Sequence, residues 1–237
     1  MPVFWLDEHD FTFPPPYLAE RDGLIAVSGD LRPERLIEGY RSGAFPWYEL
    51  DGKFFWYTPH PRMVLFPKEL IVHKSMRSIF NQQKFEYTFD TAFEQVIRIC
   101  AEIRRPGQEG TWISKKFIES YTALHQRGLA HSVEVWAGER LVGGLYGVSL
   151  GRTFFGESMF AHMSNASKAA LITLVRALEQ SGFSFIDCQQ DTAHLRSLGA
   201  RPIPRSVFLY LLNEAMKAPT LVGRWRLQEG RLHTDPV

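Results

Sequence analysis

The sequence predicts a mixed α+β protein: a small amino-terminal domain over residues 1–62, then a mixed sheet with flanking helices over residues 63–237. Three observations predict it. The first sixty residues are broken by turns and crowded with aromatics, among them Phe13-Pro-Pro-Pro-Tyr17, Gly-Ala-Phe-Pro-Trp-Tyr48 and Phe54-Phe-Trp-Tyr57. Strand-like runs at 130–136, 141–148 and 152–157 have short connections, which makes them an antiparallel meander. A long helical pattern and the apolar strand 183–188 then follow. The chain has 237 residues, of which 45% are hydrophobic and 14% aromatic, enough to fill a sizeable core.

Taken in order, Pro33 opens a short helix whose Leu36, Ile37 and Tyr40 share one face, with Gly43 as its stop. The segments 54–57 and 63–66 read as strands separated by Thr-Pro-His-Pro-Arg, hence the boundary near residue 62. Beyond it come a helix at 74–83, a strand at 85–89 and a helix at 91–103 that Asp90 would cap. A loop spans 104–110. Ser114 would cap the next helix, which turns Phe117, Tyr121 and Leu124 to one face and stops at Gly128. After the meander, a capped helix beginning near Ser164 buries Leu171, Leu174, Val175 and Leu178, ends at Gly182 and feeds the last strand. A meander, a helix and a strand returning to the same sheet is the layout of acetyltransferase-like (GNAT-like) folds, a likeness that fixes no chemistry.

Composition narrows the function. The longest membrane-like run, at 169–175, is far short of the roughly 20 apolar residues that cross a bilayer, and no basic stretch followed by an apolar core opens the chain. A cytoplasmic protein with no membrane partner is expected. Cys100 and Cys188 are too far apart for metal spacing or a disulfide framework, and the eight histidines form no His-Glu-x-x-His pattern, so no metal is expected. Residues 1–60 carry 5 basic and 10 acidic groups, the rest 22 and 16, so a polyanionic partner would bind the remainder of the chain.

Several side chains could carry chemistry. Asp187 and Gln189, two residues apart on an apolar strand, would emerge on one face of the sheet. The structural alternative is that Asp187 caps a neighbouring element and Gln189 faces water. Glu157 ends a strand beside Ser158 and Met159. Trp47, Trp56 and Trp112 lie in loops or at strand ends, where rings can stack on unpaired bases, although a single Trp serves equally as core. Arg104, Arg105, Lys115 and Lys116 flank Trp112 and favour a nucleic acid. No Gly-x-Ser-x-Gly elbow is present, and Cys188 alternates into the core, which argues against covalent catalysis. No glycine-rich phosphate loop is present either, which argues against coenzyme A or a nucleoside triphosphate.

Together the motifs resemble those of the leucyl/phenylalanyl-tRNA-protein transferases. The resemblance rests on Gly-Leu-Ile-Ala-Val-Ser-Gly-Asp-Leu31, Gly-Ala-Phe-Pro-Trp47, Trp56-Tyr-Thr-Pro-His-Pro-Arg62, Gly110-Thr-Trp-Ile113, His131-Ser-Val-Glu-Val-Trp136 and Leu141-Val-Gly-Gly-Leu-Tyr-Gly-Val148. It continues through Phe155-Gly-Glu-Ser-Met-Phe160, Asn165-Ala-Ser-Lys168, Phe185-Ile-Asp-Cys-Gln189 and Ser197-Leu-Gly-Ala200, so it spans nearly the whole chain. It implies an enzyme that moves Leu or Phe, and Met less well, from aminoacyl-tRNA (Leu-tRNA, Phe-tRNA) to proteins with an N-terminal Arg or Lys. That transfer marks them for N-degron proteolysis.

The resemblance also implies the site. Asp187 and Gln189 would be the catalytic pair, with Glu157 beside them near the acceptor's N-terminal cation. Trp47 and Trp112 would contact the terminal adenosine. Leu145, Met159, Leu171, Leu174, Leu178 and Ile186 would line the pocket for the transferred side chain, Leu145 standing where the family more often has Met. One methylene in such a pocket discriminates by only about 1–3 kcal/mol. Arg77, Arg104, Arg105, Lys115 and Lys116 are the candidates for holding the acceptor stem. No cofactor is needed, because aminoacyl-tRNA is already an activated ester. A coenzyme A-dependent acyltransferase and a non-catalytic RNA-binding module are the rival classes; the second leaves Asp187, Gln189 and Glu157 without a role.

Overall fold

In the computed structural model, which describes residues 3–103 and 113–237, the chain begins with a four-stranded sheet. Its strands are β1 (Phe4–Trp5), β2 (Leu24–Ser28), β3 (Phe45–Leu50) and β4 (Lys53–Tyr57), in the order β1-β2-β4-β3, and α1 (Pro33–Arg41) lies between β2 and β3. β1 runs parallel to β2 and the other pairs are antiparallel. Pro46 sits inside β3, which is tolerated because β3 is an edge strand with a free side.

The second sheet has seven strands and is fed by six helices. In chain order these elements are β5 (Arg62–Leu65), α2 (Lys74–Asn81), β6 (Glu86–Phe89), α3 (Phe93–Glu102), α4 (Lys115–Gln126), β7 (Ala130–Ala137), β8 (Arg140–Leu150) and β9 (Thr153–Ala161). They continue with α5 (Ala166–Gln180), β10 (Phe185–Gln189), α6 (Ala193–Ser197), β11 (Arg201–Ile203) and α7 (Arg205–Met216). The sheet order is β11-β5-β10-β9-β8-β7-β6, and a hairpin of β12 (Arg224–Gln228) and β13 (Arg231–Asp235) ends the chain. β7 to β9 form the antiparallel meander, β6 adds antiparallel to β7 at the edge, α5 crosses over, and β10 returns parallel to β9. This is the mixed α+β, acetyltransferase-like layout expected from the strand and helix order.

Two apolar clusters cover opposite faces of the large sheet, as the period-2 alternation of β8 requires: Leu145 lies in one cluster and Tyr146 in the other. The cluster containing Leu145 packs α5 onto the sheet. The cluster containing Tyr146 joins α3, α4 and α7 to the small sheet, so Tyr40, Phe54 and Trp56 share a core with Phe93, Phe117 and Tyr121. No helix among the described residues is long and apolar enough to cross a membrane.

Three expected caps are absent. α3 starts at Phe93 after Ala92, and Asp90 is no cap: its carboxylate accepts from His131 Nδ1 at 2.8 Å, the Ser132 backbone N–H at 2.8 Å and the Trp225 N–H at 2.6 Å, tying the terminal hairpin to β7. Ser114 precedes α4 but donates its hydroxyl to Glu49 of β3. α5 begins at Ala166, near Ser164 as expected, but a left-handed Asn165 holds its cap position and makes no side-chain capping bond. In the first two cases a partner distant in sequence takes the group that local pattern assigns to the cap. β9 also runs four residues past the predicted end at Glu157.

Candidate active site

The site forms where two strands of the large sheet break register side by side. On β9, Tyr146 pairs with Ser158 and Gly147 with Gly156, which leaves Glu157 as the extra residue of a bulge. The bulge exchanges the faces of the strand, so that Phe160 packs in the cluster of Phe155 and not in that of Phe154. On β10, Val64 pairs with Asp187 and Met63 with Gln189, skipping Cys188, and Gln189 adopts a positive φ of 60°. The simple alternation predicted for Asp187 and Gln189 is therefore interrupted. What links them is a hydrogen bond: Asp187 Oδ1 accepts the backbone N–H of Gln189 at 2.9 Å.

Asp187 is fully buried and held by Arg62, whose Nε donates to Oδ1 at 2.8 Å and whose Nη2 donates to Oδ2 at 2.6 Å. The guanidinium lies between the rings of Phe45 and Phe208, at 4.7 and 4.5 Å from their centroids. A fork-to-fork pair fixes both side chains in plane. The negative charge of Asp187 is thus offset by an adjacent cation.

Glu157 is half-buried and collects three donors. When the carboxyl group is ionised, Tyr40 of α1 donates to Oε1 at 2.7 Å and Tyr121 of α4 to Oε2 at 2.9 Å, and Gln189 Nε2 donates to Oε1 at 2.7 Å. Burial pushes its pKa up to about 7, outweighing the Tyr40, Tyr121 and Gln189 hydrogen bonds that pull it down, while the charge of Asp187 adds to the rise. Gln189 spends its amide N–H on Glu157, and its carbonyl oxygen is the group left to receive an N–H. Burial holds the Cys188 thiol far above its ordinary range, so it is protonated and no nucleophile.

The six apolar pocket candidates meet in one cluster. Leu145 and Met159 are register partners on β8 and β9; Leu171, Leu174 and Leu178 come from the buried face of α5, and Ile186 from β10. Met159 is half-buried and the others buried. Trp47 is half-buried on β3, edge-on to Tyr57 at 4.7 Å. Trp112, Arg104 and Arg105 lie outside the described residues. Lys115 is exposed beside Glu119, Lys116 sits 3.6 Å from Glu49, and Arg77 is exposed, its Nε donating to the Val72 carbonyl. Among the described residues, no group of three or more His, Cys, Asp and Glu is placed to hold a metal ion.

Sequence reading missed Arg62, Tyr40 and Tyr121 as site residues. Arg62 closes the Thr-Pro-His-Pro-Arg turn, and its partner is 125 positions away. Both tyrosines stood in view on apolar helix faces, where their hydroxyls carried no sequence signal.

Comparison with known proteins places the chain in a family. A family profile described as leucyl/phenylalanyl-tRNA protein transferase matches residues 64–213, and the profile of that family's N-terminal domain matches residues 29–60. The chain belongs to this family. Proteins named leucyl/phenylalanyl-tRNA–protein transferase are similar to it along almost their whole length. One from Syntrophus aciditrophicus is 54% identical over 213 residues, covering 90% of this chain and 89% of that protein. One from Syntrophobacter fumaroxidans is 55% identical over 214 residues (90% and 91%), and one from Desulfatibacillum aliphaticivorans 51% over 228 (96% and 97%). As a leucyl/phenylalanyl-tRNA protein transferase family member, the protein is an aminoacyltransferase.

Proposed function

We propose that the enzyme moves leucine or phenylalanine, and methionine less well, from aminoacyl-tRNA to the α-amine of proteins beginning with Arg or Lys, marking them for N-degron proteolysis in the cytoplasm. The observation that carries this reading is the orientation of Gln189. Its amide N–H is held by Glu157 and its backbone by Asp187, so the carbonyl oxygen is preset to accept a hydrogen bond from an attacking amine. Asp187 acts in this scheme by fixing the bulge that aims Gln189, with Arg62 holding the carboxylate in turn. Glu157 faces the cationic acceptor end.

The chemistry asks little more. The ester carbonyl of aminoacyl-tRNA is activated already, so alignment of amine and ester supplies most of the acceleration. The amine nitrogen forms a bond to the carbonyl carbon, the bond to the terminal ribose oxygen breaks, and that oxygen takes a proton from the nitrogen. Trp47 and Trp112 would hold the terminal adenosine, and the cluster of Leu145, Met159, Leu171, Leu174, Leu178 and Ile186 the transferred side chain. Residues 1–62 and 63–237 would act as the two domains. The basic groups Arg77, Arg104, Arg105, Lys115 and Lys116 would hold the acceptor stem through phosphates.

The test is transfer of labelled phenylalanine from Phe-tRNA to peptides that begin with Arg, Lys or Ala and are otherwise identical, with no added metal or coenzyme A. Labelling of the Arg and Lys peptides alone is expected. Tight Phe-tRNA binding with no labelled product would instead indicate an RNA-binding module, and labelling that requires acyl-coenzyme A would indicate the other acyltransferase class.

A further inference from the structure

Around Glu157 the oxygen atoms close a ring. Tyr40 Oη is 2.7 Å from Oε1, Tyr121 Oη is 2.9 Å from Oε2, and the two hydroxyls are 2.5 Å from each other. Three oxygen-to-oxygen contacts at hydrogen-bond length need three protons, and two phenols supply two. Gln189 brings its own N–H to Oε1 and adds none to the ring. The third proton has one place to reside, the carboxyl group itself. With it there, Oε2–H donates to Tyr121, Tyr121 to Tyr40, and Tyr40 back to Oε1; without it, one contact pairs two oxygens with no hydrogen between them.

The surroundings leave Glu157 as the titrating member. Both phenols are fully buried, and burial together with the neighbouring carboxylate drives them well above their ordinary range, so neither gives up its proton. The other polar neighbours are Tyr146 of β8, edge-on to Tyr121 at 5.5 Å, and Asp187 of β10, whose charge Arg62 of β5 offsets. The buried residues of α5 and α7, and those of α3 apart from Cys100, carry no titratable group. A carboxyl group with a pKa of about 7 is half-ionised where the enzyme must work.

We propose that Glu157, Tyr40 and Tyr121 form a proton-accepting ring: the Glu157 carboxylate takes the proton that the acceptor's α-ammonium must lose before attack, and the two tyrosines hold it as the third proton of the ring. This rests on the transferase reading and adds its acid-base step. The ammonium and the carboxylate become a neutral amine and a carboxylic acid. The amine then forms the C–N bond as the ribose C–O bond breaks, its second proton goes to the ribose oxygen, and Glu157 afterwards returns its proton to water. The α-amine has a pKa of about 7.7–8.0, close enough to that of Glu157 for this exchange to cost little.

Two measurements on the full-length enzyme test the ring. In difference infrared titration without substrate, a carboxylic C=O band is expected that disappears with a midpoint near 7 and is absent in Glu157→Gln. In Tyr40→Phe the band should move to higher wavenumber, because the carbonyl loses a donor. In Phe-tRNA transfer to an Arg peptide, Glu157→Gln should lower kcat about tenfold or more near pH 7. The peptide KM should change little, and the deficit should shrink once the pH passes about 8 and the peptide arrives deprotonated. Tyr121→Phe should lower kcat in the same direction. A Glu157 ionised throughout the titration, a raised KM with unchanged kcat, or a deficit that ignores pH would each overturn the ring. Wild-type enzyme that transfers nothing at any pH would instead overturn the transferase reading, and is distinguishable because the infrared titration needs no substrate.

Discussion

Asp187 and its guanidinium partner set the tightest constraint of any pair of residues in the site. With Arg62 and Asp187 both at 0% exposure, removing one strands the other as a buried charge. Arg62→Met should therefore cost about 3–5 kcal/mol in urea unfolding, whereas adding Asp187→Leu to it should restore much of the loss, since an apolar pair of similar volume replaces the ions. Equal instability of the single and double variants would contradict this. Asp187→Asn retains the shape and an acceptor oxygen for the Gln189 N–H but leaves the Arg62 charge unpaired, so it should lower stability and slow transfer while the folded enzyme keeps Phe-tRNA binding nearly intact. Parallel loss of rate and binding would contradict the positioning role. Asp187 was legible in sequence because a carboxylate in an apolar strand demands a reason. Arg62 was not, because only the antiparallel pairing of β5 with β10 brings it there.

Between elements, the bulges decide what strand alternation cannot. The sequence reading placed the meander, α5 and β10 correctly from periodicity and turn residues. It could not see that β9 and β10 each slip at one residue, because a bulge is a property of the paired strands and neither strand's own pattern reveals it. Gly156 next to Glu157 is the one local hint. The terminal hairpin and α7 drew no expectation, and their docking on Asp90 and the shared core depends on contacts from far along the chain. Close packing of α5 on β8 makes a further prediction. A Cβ on Gly143 would lie 2.5 Å from Ala166 Cβ and 3.0 Å from its carbonyl carbon, so the start of α5 must shift. Gly143→Ala should cost about 1–3 kcal/mol and raise the KM for Phe-tRNA, because α5 carries Leu171, Leu174 and Leu178. Gly29→Ala, whose new Cβ would meet nothing closer than 3.9 Å, is the control and should leave both unchanged.

For the molecule as a whole, protonation and salt report on different parts. Glu157 has a folded pKa of about 7 against an ordinary value of 4.5, so the folded state binds this proton more tightly than the unfolded one. Its stabilisation is complete below about pH 4.5 and is lost as pH rises through 7. Burial lowers the pKa of His131 and His194, which works in the opposite direction around pH 6. The difference between wild type and Glu157→Gln isolates the glutamate: urea midpoints compared at pH 5 and pH 8 should show wild type losing more stability over that interval than the variant. Equal losses would place Glu157 in its ionised form throughout.

Salt tests the charge asymmetry, in which an acidic first sixty residues precede a basic remainder. If the acceptor stem is held through phosphates, the logarithm of the binding constant falls linearly with the logarithm of salt concentration, by about 0.9 in slope for each phosphate neutralised. The cations are not equivalent. Lys115, 90% exposed, is only loosely matched by Glu119 across one helical turn, an arrangement of little worth that a phosphate displaces readily. Arg77 commits its Nε to the Val72 carbonyl and keeps the rest of its fork for solvent. Lys116 faces Glu49, which is only 18% exposed and also accepts from Ser114, so a phosphate must compete with a carboxylate fixed in place. Lys115→Ala and Arg77→Ala should each reduce the slope by about one, and Lys116→Ala by clearly less, with Glu49→Gln raising affinity by freeing Lys116. Filter binding of Phe-tRNA between about 50 and 200 mM salt resolves slopes of this size. A slope unchanged by all three alanine variants would exclude these three cations as contacts of the acceptor stem.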